Sequence, residues 1–429
     1  MPSIMDEEIS DDPIPLDPED RAILALESPT IAGHTCKVAR LGGAPLDVDA
    51  LRARVAERIA LAPALTRRLG GDAGEPSWVP DADFDVAHHV GPAPVEGPVD
   101  RAALPELVAR LFEQRLDRAR PLWRIDVVAL ADGGSALVWR IHHALADGTA
   151  SVRYARSLLW DHPPDQDGAT PAQAAVAHAA DEARRRAHLA GFLRREYARG
   201  ARHSPFDGPI GGRREIAFAA VSLPALHDAA KGLCGATVND GVLAIVTGAL
   251  ARWLRTRHGH LGTIRVKVPV SLHHEGDATA NHDSFFSLAV SLSETDPVVR
   301  LHTIHAATRA RKTAQDARYR EHLLRELAAV PSLEHFAARL EHSPRTFALN
   351  VSNVPGPRAP VSVLQAPVEH LHSIAEIAEH HALRVSATSL AGMLCFGLCA
   401  DADLIDHLPL MAEGIEAEAQ ALEAAVRRV

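Results

Sequence analysis

The chain has 429 residues, 47% of them hydrophobic and 23% charged, with a formal net charge of −10. That length can bury a large core in roughly two or three folding units. The negative balance excludes a general nucleic-acid binder, whose field must attract phosphate, and excludes adhesion to anionic lipid by charge alone.

The cysteines Cys36, Cys234, Cys395 and Cys399 form no CxxC pair, which fits a reducing cytoplasm better than a disulfide scaffold. Residues 1–14 read as a flexible acidic tail without the apolar core of a signal peptide. No run reaches the ~18 apolar residues of a spanning helix, so any membrane contact is expected to be peripheral.

A first half is expected over residues 15–162. Val48–Ala62 has helical spacing, with Leu51, Val55 and Ile59 on one face and Pro63 as the stop. Leu104–Arg118 (LPELVARLFEQRLDR) gives a second amphipathic helix. Trp123–Leu130 and Ser135–His143 then read as strands around the turn Ala131-Asp132-Gly133-Gly134, before a helix from about Ala150 to Trp160.

Residues 163–212 change composition and read as a helical linker to a second half, 213–429. That half opens with a strand (Glu215–Leu223), a short helix and a longer helix from Val238 to about Arg257. Thr237 and Asp240 form a capping-box-like start for the longer helix. Val238, Val242, Ile245, Ala249, Trp253 and Leu254 fall near one of its faces. Strands follow at Ile264–Leu272 and Phe285–Leu292, helices at Val298–Ala317 and Arg320–Leu340, and strands near Phe347–Ser352 and Leu394–Ala400. Mixed order without a short repeat predicts an α/β (α+β) fold with mixed sheets in two linked halves.

The run His142-His143-Ala144-Leu145-Ala146-Asp147-Gly148 carries the chemistry. Side chains alternate along a strand, so Leu137, Trp139, Ile141 and His143 share one face and Val138, Arg140 and His142 the other. His143 then ends an apolar row directed inward, at a turn, where an imidazole is placed for proton transfer. Asp147, four residues on across that turn, suits a structural ion pair, for instance with an arginine, and so a holding role. The competing reading is a satisfied core histidine. A metal site is not expected, because neighbouring strand residues face apart and cannot share an ion easily; the pairs His88-His89, His273-His274 and His380-His381 meet the same objection wherever they lie on strands.

His142 to Gly148 matches the HHxxxDG motif of the chloramphenicol acetyltransferase-like superfamily. Over nearly its whole length the chain resembles the bacterial wax ester synthase/diacylglycerol acyltransferase family. The resemblance is carried by Pro15-Leu16-Asp17, Leu26-Glu27-Ser28-Pro29-Thr30, Asp83-Phe84-Asp85 with His89-Val90, and Pro121-Leu122-Trp123. Further on it rests on Gly208-Pro209-Ile210, Asn239-Asp240, Val268-Pro269-Val270-Ser271-Leu272, the stretch Asn350-Val351-Ser352-Asn353-Val354-Pro355-Gly356-Pro357, and Phe396-Gly397-Leu398.

It implies two chloramphenicol acetyltransferase-like halves with an active-site tunnel at their interface. It implies transfer of a fatty acyl group from acyl-CoA to a long-chain alcohol, giving wax ester, or to diacylglycerol, giving triacylglycerol. His143 is then the general base, with Asp147 and Gly148 shaping its turn and His142 a further member of the catalytic set. A neutral imidazole, ordinarily of pKa ~6.5, takes the hydroxyl proton and returns it to the thiolate. A thioester is already activated, so no covalent intermediate and no permanently bound cofactor are required; acyl-CoA is a co-substrate.

Asn239 is a candidate oxyanion donor or a helix-start residue, and for Asp240 the helix start comes first. Pro121-Leu122-Trp123 is equally a packing element, and Ser352-Asn353 is equally tunnel lining or turn. Arg309, Arg311 and Lys312 offer charge for CoA phosphates, though a solvated helix face explains them more simply. Phe206-Asp207-Gly208, Asn281-His282-Asp283-Ser284 and Ser389-Leu390-Ala391-Gly392 depart from the family pattern and leave the acceptor open. The alternatives are a condensation-type acyltransferase acting on a secondary-metabolite hydroxyl or amine, and a non-catalytic lipid-binding protein. The expected place is the cytoplasm, with peripheral contact at membranes or lipid inclusions; sequence gives no oligomeric state.

Overall fold

The computed structural model describes residues 12–72, 75–162, 204, 206–257, 259, 262–271, 283–313 and 348–428. Most of the expected tail, the linker up to residue 203, the helix at Arg320–Leu340 and the doublet His273-His274 lie outside the described residues.

The strands of the first part are β1 (Ile14–Pro15), β2 (His34–Leu41), β3 (Arg67–Asp72), β4 (Glu75–Pro80), β5 (Val90–Pro92), β6 (Trp123–Ala129) and β7 (Ser135–His142). Its helices are α1 (Pro18–Ala25), α2 (Val48–Arg58), α3 (Val86–His89), α4 (Leu104–Phe112) and α5 (Gly148–Leu158). Later strands are β8 (Arg214–Ser222), β9 (Thr263–Ser271), β10 (Asp283–Ser291), β11 (Leu349–Val354), β12 (Ser362–Val363), β13 (Ala366–Ala375), β14 (Leu383–Leu390) and β15 (Met393–Asp401). Later helices are α6 (Leu223–Cys234), α7 (Val238–Arg257), α8 (Pro297–Thr313) and α9 (Leu408–Val426).

Two compact units result. The first comprises Met1–Pro163 with Pro360–Leu371, and the second comprises Pro164–Ala359 with His372–Val429. Each is built on a mixed six-stranded sheet, ordered β12-β13-β2-β7-β6-β5 in the first and β10-β9-β11-β14-β15-β8 in the second. The expected fold class, α/β with two sheet-rich halves, is what the structure has. Among the described residues no single helix is long and apolar enough to cross a membrane.

In the first unit β7 is central, antiparallel to β2 on one side and β6 on the other. All its residues are buried, which is why Arg140 had to find internal partners. The β6–β7 turn requires glycine at Gly134, where φ is +74° and a Cβ would lie 2.1 Å from the Leu41 carbonyl. One face of the sheet is filled by Trp123, whose ring meets Trp139 edge-on and whose Nε1 donates to the Leu65 carbonyl at 2.8 Å.

Two predicted helices are shorter than expected. The apolar stripe of α2 stops at Val55; Ile59 is half-exposed, and the chain tightens into 3₁₀ turns at Ile59–Leu61 and Pro63–Thr66. Helix α4 ends at Phe112 instead of Arg118, because the buried Arg140 guanidinium takes the carbonyls of Leu111 (2.6 Å) and Gln114 (2.9 Å). In the second unit α7 has the predicted bounds, but it is buried on nearly every side from Asp240 to Leu254. That is the pattern of a core helix and not of one with a single apolar stripe.

The returning segment Pro360–Leu371 is fastened to the first unit by Asp161. This carboxylate accepts from Arg54 (2.8 Å), the Ser362 hydroxyl (2.7 Å) and the amides of Leu364 (3.0 Å) and Gln365 (2.7 Å). Burial raises its pKa, but those donors outweigh burial and bring it down to about 2. A carboxyl depressed in the folded state stabilises above its unfolded pKa and loses that contribution as pH falls toward about 2. Asp161→Ala is therefore expected to cost about 2–3 kcal/mol and to strip hydrogen-exchange protection from the β12–β13 hairpin first. Protection equal to that of the unchanged protein would show the pin to be inert.

Candidate active site

Strand β7 ends one residue earlier than its sequence suggests, at His142. The correction has a local cause. The His142 carbonyl accepts the amides of Leu145 (2.9 Å) and Ala146 (3.1 Å), and its Nδ1 accepts the amide of Ala144 (3.1 Å). Backbone that would have continued the ladder folds back onto His142, so His143 stands in the turn. The His142 amide donates to the Leu122 carbonyl and the His143 amide to the Gly33 carbonyl, both at 2.9 Å. The turn is thus tied to the neighbouring segments on either side.

The two histidines differ sharply. His142 is 2% exposed, and its Nε2 lies 3.0 Å from Glu27 Oε1. An Nδ1 that accepts from an amide carries no hydrogen, so Nε2 donates to the carboxylate. Both ring nitrogens are then engaged within the protein, so neither is turned to a substrate or an ion. His143 is half-exposed. Among the described residues no group of three or more His, Cys, Asp or Glu is placed to hold a metal.

Asp147 is 4% exposed. The arginine ion pair expected for it is replaced by a helix cap: its Oδ1 accepts the Ala150 amide at 2.5 Å at the start of α5, whose first residue is the half-buried Gly148. The cation nearest in effect is Lys37 on β2, a lysine 3% exposed. Burial pushes its pKa down to about 8, and the Asp147 charge opposes that shift. Pro121, Leu122 and Trp123 are buried, with Trp123 stacked on His89 at 4.5 Å. They pack the sheet, and Leu122 also supplies the carbonyl that holds His142.

The sequence did not single out Gly33 or Lys37, and Glu27 entered only as part of the resemblance segment Leu26-Glu27-Ser28-Pro29-Thr30, without a role at the site. Glu27 pairs with Arg115 (2.8 Å) and Arg118 (2.7 Å) as well as with His142. Burial raises its pKa, but the hydrogen bonds from His142 and Arg118 and the Arg118 charge prevail and hold it at about 2. A cavity of about 580 Å³ is lined by Glu27, Arg115, Arg118, Leu122 and His142, together with Leu24 and Leu116. As a lone acid in the apolar run before Pro29, Glu27 could have been assigned a buried partner; nothing marked Gly33.

The remaining candidates lie in the second unit. Thr237 and Asp240 form a reciprocal capping box: the Thr237 amide and hydroxyl donate to Asp240 Oδ2 (2.9 Å each), and the Asp240 amide donates to the Thr237 hydroxyl (3.3 Å). His305 Nδ1 (2.9 Å) and the Thr308 hydroxyl (2.6 Å) complete the carboxylate's partners. Burial raises the Asp240 pKa, and these donors bring it below the ordinary carboxylate range. Asn239 is half-buried in the first turn of α7. Ser352 shares a 3.1 Å hydroxyl contact with Ser386, and Asn353 is half-buried beside it on β11.

Comparison with known proteins gives two family models. The wax ester synthase/diacylglycerol acyltransferase catalytic domain matches residues 16–198, and the C-terminal domain of the same family matches residues 280–423. A Mycobacterium tuberculosis protein named as a probable diacylglycerol O-acyltransferase is 30% identical over 398 residues, covering 83% of this chain and 86% of its own. The wax ester synthase/diacylglycerol acyltransferase from Marinobacter aquaeolei VT8 superposes with a TM-score of 0.72 at 23% identity, covering 96% of this chain and all of that one. The first condensation domain of the calcium-dependent antibiotic synthetase shares the fold at a TM-score of 0.64 and 18% identity, with 97% of each chain covered.

The cap at α5 separates two contributions of Asp147. Asp147→Ala is expected to lose about 1 kcal/mol of stability in denaturant titration, whereas Asp147→Ser, which can still accept the Ala150 amide, loses a few tenths. Equal losses in the two would mean that the charge beside Lys37, and not the cap, carries the effect.

Proposed function

The chain belongs to the wax ester synthase/diacylglycerol acyltransferase family, and from that premise we propose that it moves a fatty acyl group from acyl-CoA to a long-chain alcohol or a diacylglycerol, with His143 as general base. That the chain is an acyltransferase with an alcohol acceptor follows from the family. The thioester donor, the lipid acceptor and the base are our reading.

One observation supports the base assignment above the others. The motif's two imidazoles are divided by their surroundings: His142 is buried and bonded at both nitrogens, and His143 is half-exposed at the head of the turn. In the reaction, His143 accepts the hydroxyl proton as the acceptor oxygen attacks the thioester carbonyl. The tetrahedral intermediate collapses with cleavage of the carbon–sulfur bond. The imidazolium then returns the proton to the departing thiolate, so that one ester and one thiol leave and the ring is regenerated. Asp147 and Gly148 hold the turn by starting α5. Lipid acceptors collect in membranes and inclusions, so the enzyme works at their surface from the cytoplasmic side.

With palmitoyl-CoA and either hexadecanol or dioleoylglycerol, free thiol should appear in an acceptor-dependent manner. His143→Ala should lower that rate about 10²–10⁴-fold, with the melting temperature little changed. An acceptor-dependent rate undiminished in His143→Ala removes the base assignment. Turnover confined to amine or polar secondary-metabolite acceptors removes the lipid one.

A further inference from the structure

A carboxylate outside the HHxxxDG run reaches into it. Glu27 lies just beyond α1, in the segment leading to β2, and its side chain is 10% exposed. Oε1 accepts from His142 Nε2 at 3.0 Å and from Arg118 at 2.7 Å, and Oε2 accepts from Arg115 at 2.8 Å. Arg115 also donates to the carbonyls of Ser28 and Ile31, so one guanidinium gathers the whole segment around the carboxylate.

Gly33 closes the segment. Its φ is +76°, and a Cβ there would lie 2.5 Å from His142 Nε2 and 2.9 Å from Glu27 Cγ. The Glu27–His142 contact therefore passes through the space that any other residue at position 33 would fill. The carbonyl of the same glycine accepts the His143 amide. An acid and a missing side chain on one loop thus converge on the same pair of histidines.

An imidazole has two uncharged tautomers, and only one fits here. A hydrogen on Nδ1 would point at the Ala144 amide hydrogen and leave that amide unbonded beneath His143. A hydrogen on Nε2 satisfies both ends at once, provided an acceptor stands opposite Nε2. Glu27 is that acceptor.

We infer that Glu27 is a positioning residue for acyl transfer: by accepting the Nε2 hydrogen of His142 it selects the tautomer whose Nδ1 closes the turn, and so fixes where the His143 ring stands. The inference rests on the assignment of His143 as base. Glu27 touches no reacting atom. Arg115 and Arg118 hold Glu27, and the chain of control runs from the guanidinium pair through two side chains to the turn backbone.

The test uses the full chain in three variants, Glu27→Leu, Glu27→Gln and Gly33→Ala, with kcat, the KM for acyl-CoA, the melting temperature and the ¹⁵N–¹H ring spectrum of histidine-labelled protein. The His142 signals are assigned by their loss in His142→Asn. Glu27→Leu should lower kcat about ten- to a hundredfold with KM changed less than about threefold, and the His142 ring should show Nδ1–H character. Glu27→Gln keeps an accepting oxygen and should recover kcat to within about fivefold of the unchanged protein. A His142 ring that keeps its hydrogen on Nε2 in Glu27→Leu overturns the inference, as does an equal kcat loss in both Glu27 variants that follows the melting temperature. Should Glu27→Leu not fold, Gly33→Ala decides: it separates ring and carboxylate with the charge intact, and unchanged kcat there overturns the proposal equally. Full activity in His143→Ala would sink the base assignment, while the ring spectrum would still report what Glu27 does to His142.

Discussion

The first unit depends on a histidine that has been made unavailable for chemistry. In proteins an imidazole on a strand end commonly keeps one nitrogen for solvent or substrate. Here Nδ1 is taken by the Ala144 amide and Nε2 by Glu27, and the residue's carbonyl and amide are bonded as well. A strand that simply continued would carry the next side chain along the sheet. Because these bonds fold the chain back, the sheet stops, α5 can begin at Gly148, and Asp147 meets the orphan amide of Ala150. The separation of a buried from a half-exposed histidine is therefore a consequence of backbone hydrogen bonding.

Around this turn the sheet buries more charge than a soluble core usually accepts. Arg140 and Asp126 are 3% and 1% exposed at the side chain and meet at 2.9 Å. A buried ion pair has little net stabilising value, yet losing one partner costs about 3–5 kcal/mol, because the other is left without water. What makes the pair tolerable is that Arg140 also satisfies two carbonyls at the end of α4, and Asp126 also accepts from Arg124 at 2.7 Å. Both terminal nitrogens of Arg140 and both oxygens of Asp126 are bonded, while the buried Arg140 Nε has no partner among the described residues, so the pair fixes where α4 stops and where the chain turns back toward Glu27. His34 lies directly opposite His142 across β2 and β7. Burial and the Arg140 charge drive its pKa to about 3, so it stays uncharged and bonds the Phe112 carbonyl at 2.6 Å.

Much of the fold was legible from periodicity. The β6–β7 hairpin, α7 and its capping box are all local patterns, set by alternation, glycine turns and a threonine–aspartate pair three residues apart. Strand β2 was missed because it is buried on both faces and carries His34 on one and Lys37 on the other, which read as solvent residues until Phe112 and Asp147 are seen beside them. The over-long α4 was an error of the same kind. Its sequence permits another turn, and the ending is imposed by Arg140, 29 residues from the Leu111 carbonyl it takes. At the site, HHxxxDG pointed to the turn, but Glu27 is separated from His142 by 115 residues, and nothing local announces the contact. Gly33 was illegible because its significance lies in the atoms that a side chain would displace.

Asp240 shows where family motif and physical role part. Its carboxylate receives donors from Thr237, His305 and Thr308, and Oδ2 alone accepts three of them. Such an oxygen has no lone pair to offer a substrate, and a carboxylate held below its ordinary pKa range has no proton to give. Any dependence of activity on Asp240 then passes through structure. By tying the first turn of α7 to α8, Asp240 sets the direction in which the amides of that turn and the half-buried Asn239 carboxamide are presented.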